Sequence, residues 1–98
     1  MTNFAKIEAD AVLAKEAADK AWRAMAYEAM SLTEQVRWLS DTARERPSRE
    51  DMDELFLYLD RYDAAQRECN AKRDANREAS RKWVAEAEAA AAQVGRSY

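Results

Sequence analysis

Ninety-eight residues with a formal net charge of −3 leave room for one domain at most, spanning residues 1–98, and for a limited core. Charged residues make up 36% of the chain and no apolar run approaches the ~20 residues that a spanning helix needs, which excludes a membrane-spanning protein. The absence of histidine removes the commonest general base and metal ligand together, and the single cysteine, Cys69, excludes an internal disulfide.

One glycine and one proline stand against 22 alanines and 11 each of Glu and Arg. Strong helix formers dominate, and the glycines of tight hairpins and phosphate loops are missing. The fold class expected is all-α. The start, Met1 to Lys6, lacks the basic and apolar regions of a signal peptide, so the expected location is cytoplasmic.

The first element opens at Asn3, a helix cap before Phe4. A stripe of small and apolar residues then runs through Phe4, Ile7, Ala11, Ala14, Ala18, Ala21, Met25, Ala29, Leu32, Val36, Leu39 and Ala43. Its steps of three and four describe a coiled-coil seam. Ser31 followed by Glu34 also reads as a capping box. The first helix is therefore either continuous over about residues 4–46 or broken near 31, giving three helices in all.

Pro47 is the strong break. Arg44 and Arg46 before it suit a helix C-terminus, and Ser48 with Glu50 and Asp51 suits a helix start. The second helix is expected over about residues 49–94, stopped by Gly95. Its stripe is Met52, Leu55, Leu59, Tyr62, Gln66, Cys69, Arg73, Asn76, Ser80, Trp83, Ala87, Ala90 and Val94, polar in the middle.

The architecture predicted is an antiparallel helical hairpin or coiled coil. Folding at Pro47 sets Leu39 opposite Phe56, Val36 opposite Leu59 and Met25 opposite Cys69 or Asn70. Ala11 and Ala14 then face Trp83 and Ser80, and Phe4 and Ile7 face the run from Ala87 to Ala92. The same register brings Trp22 near Arg73 and Asp19 near Arg77. Either a guanidinium covers the indole there, or the arms splay and admit water.

Several clusters invite a chemical reading. Glu50, Asp51, Asp53 and Glu54 could hold a cation, but acids favour a helix N-terminus without one, and no calcium-loop spacing exists. Arg73, Arg77 and Arg81 share a helix face and could track a nucleic-acid backbone. Interleaved acids and the overall negative charge make a solvated face the expectation, with nucleic-acid binding as the alternative function. Cys69 on the seam reads as a small buried hydrophobe. No cofactor, metal, catalytic residue or small-molecule substrate is expected.

Apolar residues off the stripe point to binding instead. Leu57 points nearly opposite Met52 and Leu59, so the run Leu55 to Leu59 is apolar all round. Leu13, Tyr27, Met30 and Trp38 are similarly off-phase. Either a second chain covers them or a three-helix fold does. The expected protein-binding residues are Trp38, Leu57 and Tyr58 at the tip, the acids Asp53 and Glu54 beside them, and Leu13 and Tyr27. The expected function is a non-enzymatic interaction protein with a protein partner, a second copy of itself as a homodimer, or both.

A length near 100, alanine-rich helices and a central turn resemble the secreted helical-hairpin proteins of the WXG100 family. Their turn carries Trp-x-Gly where this one reads Arg46-Pro47-Ser48-Arg49, so secretion is not carried over. In size, acidity and helical class the chain also resembles phage-encoded inhibitors of host defence, anti-CRISPR proteins among them. That resemblance implies steric inhibition of a larger protein complex.

Overall fold

The computed structural model describes residues 2–42 and 47–96. Two helices, α1 (Thr2–Thr42) and α2 (Arg49–Arg96), pack against each other as a helical hairpin. By their contacts they divide into two compact units. One unites α1 up to Asp19 with α2 from Ala71 onward, and the other spans Lys20–Asn70.

Helix α1 is unbroken through residues 31–34. Ser31 caps nothing. Its hydroxyl donates to the Tyr27 carbonyl at 3.1 Å, and the Thr33 hydroxyl donates to the Ala29 carbonyl at 2.9 Å. These bonds to the preceding turn occupy hydroxyls inside a helix, and a capping box needs an actual helix start to act. The three-helix alternative is thereby excluded. Asn3 lies inside α1, which begins at Thr2, and the expected end of this helix at residues 43–46 lies outside the described residues.

The capping box that does form is at Ser48. Its hydroxyl accepts the Asp51 N–H at 3.1 Å, and its own N–H donates to the Asp51 carboxylate at 3.2 Å. The first helical bond, from the Met52 N–H to the Ser48 carbonyl, closes at 3.1 Å. Pro47 precedes this cap by one residue. The acid cluster after the turn is thus tied at Asp51 to helix initiation, as an acid in a first turn usually is. Replacing Ser48 with Ala is expected to cost about 1 kcal/mol, read as a lower urea midpoint with an unchanged slope. At the other end α2 passes through Gly95 to Arg96, and Gly95 does not adopt the left-handed conformation of a helix stop.

The seam keeps a stricter heptad than the sequence suggests. On α1 the half-buried or buried positions include Phe4, Ile7, Ala11, Ala14, Ala18, Ala21, Met25, Glu28, Leu32, Gln35 and Leu39, alternating three and four throughout. Glu28 is half-buried beside the expected Ala29, which is half-buried too, while Gln35 takes the place expected of Val36, which is exposed. On α2 the row is Leu55, Tyr58, Tyr62, Ala65, Cys69, Asn76 and Ala79, while Gln66, Arg73 and Ser80 are exposed. Of the expected stripe Met52, Leu59 and Ala87 are half-buried as well, and the middle stays partly polar, since Asn76 is half-buried and the heptad position before it is the exposed Lys72.

Against a fold centred on Pro47 some pairings hold and others are displaced. In the first unit Phe4 lines a cavity with Ala89, Ala90 and Ala92, as expected, and it also meets Trp83, with ring centroids 6.4 Å apart and planes tilted by 35°. Ala11 lines one cavity with Ser80 and Trp83, as expected, while Ile7 lines another with Ala75 and Ala79.

Among the described residues only Ala21 (8% exposed), Leu39 (7%) and Cys69 (2%) are buried among the apolar side chains.

Candidate functional site

Within the unit of Lys20–Asn70, α1 presents two flanks beside its seam. Tyr27, Ser31, Glu34 and Trp38 follow each other at steps of four, three and four, so they form one row. On α2, Glu54, Tyr58 and Arg61 repeat the same kind of spacing. The hairpin brings these two rows together around a cleft of about 630 Å³, with Glu28 and Gln35 contributed from the seam edge.

The cleft combines aromatic surface with negative charge. Tyr27 is 69% exposed and Trp38 is 50% exposed, while Tyr58 is half-buried. Three carboxylates, Glu28, Glu34 and Glu54, line it against the single guanidinium of Arg61. Arg61 lies over the Tyr58 ring, 5.7 Å from its centroid, a distance at which the cation is drawn to the ring face. The guanidinium thus props the ring beneath it. Glu28 is half-buried although charged, and it lines the cleft, as a long side chain at a seam edge can by burying its stem.

Of the residues expected to bind protein, the structure gathers Tyr27, Trp38, Glu54 and Tyr58 in this cleft. Leu57 and Asp53 belong to the same unit and are exposed but do not line it, and Leu13 belongs to the other unit, also exposed. Leu57 at 49% exposure is not core, which removes the reading of it as the interior of a three-helix fold. Glu28, Ser31, Glu34, Gln35 and Arg61 are members that the sequence reading passed over. The steps of four, three and four from Tyr27 to Trp38 are the signal that could have found Ser31 and Glu34.

The alternative nucleic-acid face, Arg73, Arg77 and Arg81, lies exposed along α2 in the other unit, interleaved with the exposed acids Asp74 and Glu78. Trp22 is exposed, and the cation–aromatic pair described above involves Arg61 rather than Arg73. Among the described residues no group of three or more acids and cysteine is placed to hold a metal ion, and no helix is long and apolar enough to cross a membrane. Comparison with known protein families, curated proteins and solved structures returns no match to this chain.

Proposed function

We propose that this chain is a non-enzymatic interaction protein that docks a basic surface of another protein in the cleft of Tyr27, Trp38 and Tyr58. The observation that carries the reading is the coincidence of aromatic side chains with an excess of carboxylates on one uncovered flank. Aromatic residues supply most of the energy at protein interfaces, and complementary charge selects and steers the partner. A basic helix or loop would place its aliphatic stems on the rings and its cationic heads among Glu28, Glu34 and Glu54. Occupying a functional surface of a larger complex in this way would make the chain a steric inhibitor, which is one form the binding can take.

The test is affinity capture from the native cell extract with two baits, the natural chain and a variant carrying Trp38→Ala and Tyr27→Ala. Basic proteins are expected on the first bait and absent from the second, since each lost anchor costs on the order of 2 kcal/mol. Identical proteins on both baits would overturn the cleft as the binding site. Nucleic acid offered at two salt concentrations serves as the control, because phosphate contacts weaken steeply with salt.

A further inference from the structure

Arg61 stands inside the cleft that the proposed partner is to fill. It is the one cation among the lining residues, and its guanidinium lies over the Tyr58 ring, 5.7 Å from the centroid. The order of residues along the hairpin divides the cleft into two ends. Toward the turn stand Trp38, Glu34 and Glu54, and the exposed acids Asp41 and Glu50 extend the two rows beyond them. Away from the turn stand Tyr27, Glu28 and Arg61. The other described cations of this unit stay out of the lining. Arg37 shares a second cleft with Glu34, Ala29 and Thr33, and Lys20, Arg23, Arg49 and Arg67 are exposed elsewhere along the helices.

Resting on the reading of this cleft as the docking site for a basic partner, we infer that Arg61 is a built-in competitor for that site, and that the group it competes with is an arginine side chain. A guanidinium is planar and stacks on an aromatic face, whereas an ammonium is a compact, strongly hydrated point charge. The Tyr58 ring already holds a guanidinium, so the same group arriving from outside fits the cleft. Two cations cannot share one ring face, because their repulsion at such close range is not screened by salt. An arriving arginine therefore displaces Arg61, whose exposed side chain can turn into water. Displacement costs the resident contact, so a lone cation gains little from it. A segment that also reaches Tyr27, Trp38 and the carboxylates at the turn end gains more than it displaces. Arg61 thereby sets a threshold that isolated cations do not pass and an arginine-bearing segment does.

Fluorescence anisotropy of a labelled hexaarginine peptide, titrated with the full chain, reads the competition. Arg61→Gln is expected to bind the peptide about fivefold more tightly than the natural chain, since it uncovers one ring face and removes one like charge. Arg67→Gln removes the same charge from an exposed site on the same helix outside the cleft, and is expected to change binding by less than about twofold. A hexalysine peptide should gain less from Arg61→Gln than hexaarginine does. Both positions are exposed, so circular dichroism is expected to show the helices intact in each variant. Equal or weaker binding by Arg61→Gln would overturn the inference and leave the cleft reading in place, and an equal gain in Arg67→Gln would do the same. An equal gain with hexalysine would overturn the assignment to arginine. Binding that neither the natural chain nor Arg61→Gln shows, or that survives Trp38→Ala and Tyr27→Ala in the Arg61→Gln background, would overturn the cleft reading together with this one.

Discussion

Replacing Leu39 with Asp should unfold the hairpin, and replacing Leu57 with Asp should leave it folded. Leu39 is 7% exposed and is one of the few side chains that the two helices withdraw from water. Losing its apolar burial costs about 2 kcal/mol, and a carboxylate forced into the same place without a partner costs several more. A small domain has only about 5–15 kcal/mol in hand, and a seam this thin sits at the low end. Leu57 keeps half its surface in water, so the same change there costs little beyond the poorer helix propensity of Asp, about 0.5 kcal/mol. Circular dichroism during heating separates the outcomes. If both variants melt alike, Leu57 is part of the core and the hairpin is not the complete packing.

The second expectation runs in the direction of added stability. The side-chain nitrogen of Gln35 is buried on the seam with no hydrogen-bond acceptor. A buried donor left unsatisfied costs about 1–3 kcal/mol, while an apolar side chain of similar volume carries no such penalty. Gln35→Leu should therefore stabilise the fold by about 1–2 kcal/mol, which corresponds to roughly 4–8 °C per kcal/mol for a domain of this size. Calorimetry reads the shift directly. A lower melting temperature would mean that the amide is held by a partner. A polar residue at an inner seam position can also fix register at a cost in stability. The leucine variant is then expected to be more stable but less strictly aligned.

Both expectations depend on seam phase, which is where the sequence was only partly legible. Steps of three and four ran clearly from Phe4 to Met25 because alanines and large apolar residues alternate there without competition. Beyond Met25 two neighbouring positions compete. Ala29 and Val36 look like core by polarity; Ala29 is half-buried together with Glu28, but Val36 is exposed and Gln35 holds the heptad position in its place, as a long side chain that buries its stem can. The start of α2 at Ser48 was legible because a cap, an acidic turn and a proline agree. The same cap signal at Ser31 misled because nothing else there ends a helix. The cleft was legible in parts, through Tyr27, Trp38 and Tyr58. Its assembly was not, since a fold centred on Pro47 sets Ser31 opposite Ala64, about six residues along α2 from the Tyr58 with which it lines the cleft.

The thiol of Cys69 carries a consequence of another kind. At 2% exposure it is the most enclosed apolar group described, and the chain has no other sulfhydryl. A thiol reagent attacks only the exposed thiolate, so it reaches this sulfur when the helices separate around it and not before. The pace of labelling then counts opening events of one defined segment of the Lys20–Asn70 unit, without any added probe. When closing outruns the reagent, that pace follows the population of the open form, and when it does not, it follows the opening rate itself. A partner that braces the two helices must slow the reaction wherever on the unit it sits, so a single residue with no assigned chemistry reports occupancy of surfaces it never touches.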